Sequence, residues 1–345
     1  MDKHQFKYAA KTVDCYFETP FSFLDELVDK AKTIIITDEN IAKLYADKFD
    51  GWNMITIKAG EEHKQQFTAD YVIGELINLK ADKQSFIIGV GGGVVTDIAG
   101  YVASVYMRGT RFGFVPTTIL AMVDAAIGGK NGVDAGVYKN LIGVIKHPEI
   151  LLYDYSFLET LPKEEWINGF AEIIKHACIK DSGMFKMLEE NTLETFQNDK
   201  EKMALLVKRN VLIKYNVVSN DEFENGDRKL LNFGHTIGHA IENIYALPHG
   251  NAVSIGMVVA GNISAAVNNF SSSENSRLSA LLNKYHLPTT LPYDESGSEA
   301  VWNILIMDKK RSGDTMNFIL LNKIGDGIVK PILLQQLKLF FNKDL

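Results

Sequence analysis

Residues 85–106 read SFIIGVGGGVVTDIAGYVASVY, and this stretch decides the fold of the amino-terminal half. A short apolar run at 85–90 predicts a strand, Gly91, Gly92 and Gly93 predict a tight turn, and a helical pattern follows directly. A glycine turn between a strand and a helix is suited to binding an anion such as phosphate, because the helix N-terminus exposes free N–H groups. The spacing is not G-x-G-x-x-G, so a plain tight turn is the alternative.

Strand and helix signals alternate through the first 150 residues. Apolar, β-branched runs at 33–37, 54–58 and 112–115 predict further strands, and residues 71–79 have helical spacing. Alternation of this kind predicts a parallel sheet with helices on both faces.

The pattern changes from about residue 155. The segments with helical spacing are 164–180, 201–218, 235–245 and 252–267. Strand signals are almost absent until residues 318–321. The sequence therefore predicts an α/β fold, with a Rossmann-like parallel-sheet domain at 1–155 and a mainly α-helical domain at 156–345.

Composition limits the class of protein. The chain has 345 residues, 46% hydrophobic and 23% charged, which is typical of a globular protein of two domains. Two cysteines and a first segment without an apolar signal core favour a cytoplasmic location. The most apolar stretch, 252–267, is shorter than the roughly 20 residues of a membrane span, so we expect a buried helix. The net charge of −7 argues against a nucleic-acid partner.

The segment from 101 to 150 is basic although the whole chain is acidic. It contains a loop, 116–140, whose second half is rich in glycine and in which hydroxyl, carboxylate, ammonium and amide groups are close in sequence. Long ordered loops are usually functional, and this polar lining suits a polyhydroxylated, charged ligand. Ordinary surface lysines on a flexible loop are the alternative.

Three histidines and one glutamate form a candidate metal site. His235 and His239 are spaced i, i+4 on one predicted helical face, His249 follows a short loop, and Glu172 is on an earlier helix. Three ligands with an open position are typical of a catalytic zinc site. The spacing allows both His235 and His239 to bind the ion, or one of them together with His249. Glu172 with His176 is a third possible pair.

These motifs together resemble the 3-dehydroquinate synthase family. The segments that carry the resemblance are GGGVVTDIAGY at 91–101, MRGTRF at 107–112, VPTT at 115–118, MVD at 122–124, GGK at 128–130, KNLIG at 139–143, AEIIK at 171–175, RKLLNFGHTIGH at 228–239, HG at 249–250 and DKK at 308–310. They occur in order over roughly residues 85–320. Most are weak individually, and together they are specific.

The resemblance implies roles for individual residues. It implies a divalent metal, zinc or cobalt, bound by Glu172, His235 and His249. The catalytic residues that it implies are Lys130, Lys175, Lys214, Arg228, Asn232 and His239. The implied substrate contacts are Arg108, Asp124 and Asn140, with Lys309 or Lys310. The implied NAD contacts are Asp38, Asn40, Glu61, Lys64, Gly92, Gly93, Asp97, Thr117, Thr118, Lys139 and Thr160.

The resemblance also implies a reaction. NAD and the metal would convert 3-deoxy-D-arabino-heptulosonate 7-phosphate to 3-dehydroquinate and phosphate, a lyase step of the shikimate pathway. The first domain would bind NAD, the second would bind metal and substrate, and the active site would lie in the cleft between them. A homodimer without nucleic-acid or membrane partners is expected. Other sugar phosphate cyclases, a polyol dehydrogenase and an inactive NAD-binding protein are the rival interpretations.

Two positions depart from the family pattern. Thr96 occupies a position beside the cofactor that is usually glycine. The segment 136–138, Gly-Val-Tyr, precedes Lys139 where Pro-Leu-Gly is common, so we expect that loop to run differently.

Overall fold

The computed structural model describes residues 2–136, 138–290, 295–306 and 311–341. The chain folds into two compact units. The first comprises Met1–Glu165 and Ala204–Phe223, and the second comprises Trp166–Met203 and Glu224–Leu345. The sequence predicts a single cut near residue 155, and it does not anticipate that a later segment belongs to the first unit.

The described strands and helices follow the order of the predicted pattern. The strands are β1 Asp2–Lys7, β2 Thr12–Phe17, β3 Thr33–Asp38, β4 Asn53–Ile57, β5 Phe86–Gly91, β6 Arg111–Pro116, β7 Lys130–Ala135, β8 Tyr138–Ile145, β9 Ile150–Leu152, β10 Arg311–Ser312, β11 Thr315–Lys323 and β12 Asp326–Leu333. The helices are α1 Leu24–Leu27, α2 Glu39–Leu44, α3 Gln66–Asn78, α4 Gly93–Val105, α5 Lys163–Lys180, α6 Ser182–Glu190, α7 Leu193–Asn198, α8 Lys200–Asn220, α9 His235–Tyr245, α10 His249–Val267, α11 Ser272–Lys284, α12 Glu295–Leu305 and α13 Leu334–Phe341.

A seven-stranded sheet forms the centre of the first unit. Its order is β1-β2-β9-β6-β5-β3-β4, and all neighbours except β1 and β2 are parallel. All six residues of β5 are buried, as are the first five of β3. Continuous apolar runs of this kind are typical of parallel strands that are covered on both faces. The predicted α/β fold with a Rossmann-like parallel sheet is confirmed.

The carboxyl ends of three neighbouring strands meet at one edge of this sheet. Thr37 of β3 pairs with Val90 of β5, and Val90 pairs with Val115 of β6. The residues that follow these strands therefore lie at the same edge, which we call the carboxyl edge. Ligands of open α/β sheets bind at edges of this kind.

The glycine turn at the carboxyl edge is required by close packing. A Cβ atom on Gly91 would lie 2.5 Å from the side chain of Val95, and a Cβ atom on Gly92 would lie 3.1 Å from that of Thr118. The φ angle of Gly92 is −74°, so this position does not need left-handed backbone. The glycines instead let β5, α4 and the segment after β6 approach one another.

The prediction of a loop at 116–140 is wrong for the second half of that segment. Strands β7 and β8 pair as an antiparallel hairpin, in which Gly132 pairs with Gly143. A Cβ atom on Gly132 would lie 2.5 Å from the carbonyl oxygen of Ile142. These glycines allow two strands to approach closely, although in the sequence they resemble loop residues.

The first unit also contains a hairpin that the sequence analysis missed. Strands β1 and β2 are antiparallel. The segment Ala204–Phe223, which includes most of α8, belongs to the same unit and contacts this hairpin. The backbone N–H of Lys7 donates to the Tyr215 hydroxyl at 3.1 Å, and that of Ala9 donates to the Glu222 carboxylate at 2.5 Å. The rings of Phe6 and Tyr215 stack at 4.2 Å.

The second unit is mainly helical, and its antiparallel sheet has the order β10-β11-β12. Helix α10 is long and apolar enough to cross a membrane, judged by its length and composition alone. Two thirds of its most apolar window is buried, because Ile255, Val259 and Ile263 belong to a core cluster with α9 and β11. The predicted buried helix is therefore confirmed.

Three glycines bring α9 and α10 together. A Cβ atom on Gly256 would lie 2.0 Å from the carbonyl oxygen of Gly234, and one on Gly238 would lie 3.1 Å from that of Ala252. Gly234 has a φ angle of +78°, which favours glycine at the residue before α9. This contact determines how closely the two helices pack.

Replacing Gly256 by alanine should therefore destabilise the protein. The added methyl group meets backbone that cannot rotate away, so we expect a loss of about 1–3 kcal/mol, measured as a lower urea midpoint. Gly74→Ala in α3 is the matched control, because a Cβ atom there meets nothing within 4 Å. The free energy of unfolding of the Gly74→Ala variant should rise by about 0.5–1 kcal/mol, because alanine favours a helix more than glycine does. Equal midpoints for the two variants would contradict the proposed close contact.

Candidate active site

Three potential metal ligands lie together in the second unit. Glu172 is buried in α5, His235 begins α9 and His249 begins α10. Atom Oε1 of Glu172 lies 3.3 Å from Nε2 of His235 and 3.2 Å from Nε2 of His249. One ligand atom from each residue lies within 4.8 Å of the other two. This grouping combines His235 with His249, which is one of the ligand sets that spacing left open. Glu172 and His176, the third possible pair, also offer ligand atoms within 4.8 Å of each other.

The outer nitrogen of each imidazole faces a hydrogen-bond acceptor. Nδ1 of His235 lies 3.1 Å from the Phe233 carbonyl oxygen, and Nδ1 of His249 lies 3.2 Å from the Glu242 carboxylate. A neutral ring whose Nδ1–H donates to that acceptor presents its Nε2 atom as a ligand on the side of Glu172. Two imidazole nitrogens and one carboxylate oxygen converge here, and these are ligands that zinc accepts. The donor set fits a divalent metal.

The charges around Glu172 agree with this arrangement. Burial opposes its ionisation, but the Lys175 ammonium and the His235 side chain hold the pKa of Glu172 well below its usual range. Burial also opposes a charge on His249, yet the hydrogen bonds that its ring donates to the carboxylates of Glu172 and Glu242 raise its pKa to about 10. The carboxylates of Glu172 and Glu242 thus stabilise positive charge at the position that a divalent metal ion would occupy.

Lys175 and His239 are adjacent to this group. The Lys175 ammonium forms an ion pair with Glu172 at i, i+3, and both side chains are almost completely buried. The ring of His239 lies 5.2 Å from that of His235 and 6.4 Å from that of His249, measured between centroids. His239 is thus beside the three-residue group.

The other predicted residues of the second unit lie before α9 or outside the described residues. Arg228 and Asn232 are on the 3-10 turn Asp227–Asn232, and Arg228 is only 2% exposed. Lys309 and Lys310 lie outside the described residues.

Several predicted cofactor residues form one network in the first unit. The Lys64 ammonium lies 2.5 Å from the Asp97 carboxylate and donates to the Asn140 side-chain oxygen at 2.7 Å. Lys139 pairs with Glu61 at 2.9 Å. Burial raises the pKa of Asp97, and the Lys64 ammonium opposes this shift. The family resemblance implies a substrate contact for Asn140, whereas the structure places its side chain in the same network as the predicted cofactor residues.

Asp97, Gly92, Gly93, Thr117 and Thr118 all follow β5 or β6 at the carboxyl edge. The Thr117 hydroxyl is buried and has no hydrogen-bond partner in the described part of the chain. A buried hydroxyl without a partner is costly, which favours a polar ligand at this edge. This site therefore fits a nucleotide cofactor.

Asp38 is the last residue of β3 at the same edge, but one of its oxygens caps α2 by accepting from the backbone N–H groups of Asn40 and Ile41. Thr160 forms a hydrogen bond with the Tyr45 hydroxyl at 2.7 Å.

Lys214 and Asp124 form an ion pair. The Lys214 ammonium lies 2.7 Å from the Asp124 carboxylate and donates to its carbonyl oxygen at 2.8 Å. Lys130 is exposed at the start of β7. The fold thus brings Lys214 from α8 to the turn that follows β6.

Arg108 lies away from these residues. It is exposed on the turn Tyr106–Arg108 after α4, immediately before β6 begins. Helix α4 begins at the carboxyl edge and runs for 13 residues, about 20 Å, towards the opposite edge of the sheet. The structure therefore does not place Arg108 with the glycine turn, Asp97 or Asp124.

Two family models together match most of the chain. The model described as 3-dehydroquinate synthase N-terminal matches residues 54–168, and the one described as 3-dehydroquinate synthase C-terminal matches residues 169–311. The chain belongs to the 3-dehydroquinate synthase family. The predicted family resemblance is confirmed.

Curated 3-dehydroquinate synthases are similar to this chain over most of their length. The enzyme of Campylobacter concisus is 38% identical over 316 residues, which cover 89% of this chain and 90% of the relative. The enzyme of Campylobacter curvus is 40% identical over 316 residues, with the same coverage.

Solved structures of sugar phosphate cyclases have the same fold. The 2-epi-5-epi-valiolone synthase from Streptomyces hygroscopicus subsp. jinggangensis 5008, solved with NAD+ and Zn2+ bound, has a TM-score of 0.85 and 26% identity over 96% of both chains. The 2-deoxy-scyllo-inosose synthase complexed with carbaglucose-6-phosphate, NAD+ and Co2+ has a TM-score of 0.85 and 24% identity over the full length of both.

Glu242 is a residue of this site that the sequence did not predict. Glu242 contacts His249, and it follows His235 by seven residues on α9. Two helical turns place residues i and i+7 on one face, so this spacing could have indicated it.

The departure at Thr96 is accommodated within α4. Its hydroxyl donates to the Gly93 carbonyl oxygen at 3.0 Å, and the side chain is buried. The threonine thus bonds to its own helix. The other departure includes Val137, which lies outside the described residues.

The Lys64–Asp97 pair gives a test of the first unit. Replacing Lys64 by methionine leaves the Asp97 carboxylate without its cation, so we expect a loss on the order of 3 kcal/mol in the free energy of unfolding. Adding Asp97→Asn removes the stranded charge, and the double variant should lose less than the sum of the two single variants. Urea denaturation of all four proteins measures this coupling, and strictly additive losses would disprove it.

Proposed function

We propose that this protein converts 3-deoxy-D-arabino-heptulosonate 7-phosphate to 3-dehydroquinate and phosphate, with NAD and a divalent metal ion. The observation that carries the proposal is the convergence of Glu172, His235 and His249, with both Nδ1 atoms held by acceptors. This arrangement is in a chain that belongs to the synthase family over residues 54–311.

The two units carry different parts of the proposed chemistry. Glu61, Lys64, Asp97, Thr117 and Lys139 are in the first unit and would contact NAD. Glu172, His235 and His249 are in the second unit and would hold zinc or cobalt. When bound, NAD accepts and returns a hydride at one carbon of the substrate, and the metal ion polarises the oxygen on that carbon. A solved cyclase 26% identical to this chain holds NAD+ and Zn2+, which supports both assignments.

The proposed substrate carries a carboxylate, a phosphate and several hydroxyl groups. Arginine binds such anions through two parallel hydrogen bonds, whereas lysine acts as a point charge. Arg228 would orient an anionic group in this way, and Lys130, Lys175 and Lys214 would supply further positive charge. Asn232 would bind a hydroxyl group through its side-chain amide. Holding all these groups in one geometry favours the intramolecular ring closure that ends the reaction.

His239 is the proposed proton-transfer residue. It lies beside His235 but outside the group of three ligands, so its ring can exchange a proton with substrate without giving up the metal. Lys214, paired with Asp124, is a second candidate for a group that moves or holds a proton.

Three further features belong to the proposal. The hydride returns to the substrate and phosphate leaves by elimination, so the enzyme is a lyase without net oxidation. We expect it to act in the cytoplasm as a homodimer. Its partner is then the phosphorylated, carboxylated sugar acid, with neither nucleic acid nor a membrane involved.

A single assay separates this reaction from its rivals. Protein, substrate, trace NAD and zinc are incubated together, and phosphate and NADH are followed with time. Phosphate release without accumulation of NADH supports the proposal. Stoichiometric NADH would indicate a polyol dehydrogenase, and turnover of only uncarboxylated sugar phosphates would indicate a different cyclase.

Variants at the three ligands test the metal assignment. Glu172→Ala and His235→Ala each remove one of three donors, so purified protein should lose bound metal and activity. Metal content by atomic emission is the measurement. Unchanged metal content in both variants would exclude this ligand set.

His239→Ala gives the complementary result. All three ligands remain, so metal content should be unchanged, while turnover should fall by roughly 10²-fold or more through loss of acid–base catalysis. Turnover equal to that of the unaltered protein would remove His239 from the mechanism.

A further inference from the structure

The two imidazoles of the three-residue group are held in different ways. Nδ1 of His235 faces a backbone carbonyl oxygen, that of Phe233, which no substitution of a side chain removes. Nδ1 of His249 faces the carboxylate of Glu242 at 3.2 Å. The orientation of His249 thus depends on a side chain, and that side chain can be altered.

We propose that Glu242 is a positioning residue, which fixes the tautomer and ring plane of His249 and so raises the affinity of the Glu172–His235–His249 group for a divalent cation. This inference rests on the proposed function, because it assumes that the group binds a metal ion. Glu242 itself does not contact the ion in this proposal.

His249 needs this support more than His235 does. Its side chain is 30% exposed, compared with 11% for His235, so surrounding atoms restrict its ring less. It also follows a connection of three residues in which Ala246 has a φ angle of +49°. A ring at the start of a helix and partly in solvent can rotate away from Glu172 unless something holds its outer nitrogen.

Glu242 is placed to hold that nitrogen. Its side chain is 10% exposed and lies on α9, two turns after His235. An acceptor at Nδ1 keeps the proton on that atom and leaves the Nε2 lone pair for the ion. The negative charge of Glu242 also makes the imidazole more basic, which strengthens it as a ligand.

An amide at this position separates orientation from charge. The side-chain oxygen of glutamine still accepts from Nδ1–H, although it carries no charge, whereas alanine does neither. Asn243→Ala is the matched control, since Asn243 is the next residue of α9 and is exposed. The experiment therefore compares the unaltered protein, Glu242→Gln, Glu242→Ala and Asn243→Ala.

Zinc affinity is measured by competition with a chromophoric chelator, and the increase in melting temperature on adding zinc is measured for each protein. Circular dichroism of the metal-free forms checks that each is folded. We expect Glu242→Ala to bind zinc roughly 10–100-fold more weakly and to show a smaller zinc-induced increase. Glu242→Gln should retain most of the affinity, and Asn243→Ala should match the unaltered protein.

The outcomes distinguish this inference from the proposed function. If the unaltered protein binds zinc and Glu242→Ala binds it equally well, Glu242 has no positioning role, while the proposed function stands. If Glu242→Gln loses as much affinity as Glu242→Ala, orientation through hydrogen bonding is disproved. If the unaltered protein does not bind zinc or cobalt, the metal assignment of the proposed function fails, and this inference fails with it.

Discussion

A buried carboxylate is the constraint on which the second unit depends. Glu172 is fully buried, and a charge in that environment is tolerated only if cations or hydrogen-bond donors surround it. Lys175 supplies one positive charge from the same helix, and two imidazoles supply the remaining contacts from two other helices. The ion pair within α5 is local, whereas the histidines arrive only if α9 and α10 pack correctly against it. The three-residue group therefore forms only where these helices are packed together.

Glycines make the necessary approach possible in both units, but in different ways. In the second, Gly256 lets α10 lie directly against the backbone before α9. In the first, Gly91 and Gly92 let a strand, a helix and the segment after the next strand share one small volume at the carboxyl edge. In each case the absence of a side chain brings polar backbone and functional groups close together, and the surrounding apolar side chains supply the stability.

The sequence predicted local elements well because their signals are local. The predicted strand at 85–90 ends within one residue of the observed one, and a helix follows the glycine turn as predicted, since buried apolar runs and glycines mark their limits. Spacing could not choose between His239 and His249, because the answer depends on how α9 and α10 meet. The hairpin at 130–145 was missed because Gly132 and Gly143 face each other across strands, a relation that the order of residues does not reveal. The spacing from His235 could have indicated the face on which Glu242 lies, but not its contact with His249, which belongs to the next helix.

The discontinuous first unit has a consequence for biosynthesis on the ribosome. Its first strand is held by Tyr215 and Glu222, and Asp124 is paired with Lys214. These partners are translated only after the intervening segment Trp166–Met203, which belongs to the other unit. The β1 edge of the nascent sheet thus lacks Tyr215 and Glu222 at first. They reach it only after about sixty further residues have been added and have left the exit tunnel. A chain truncated at residue 165 has the whole sheet but lacks these partners.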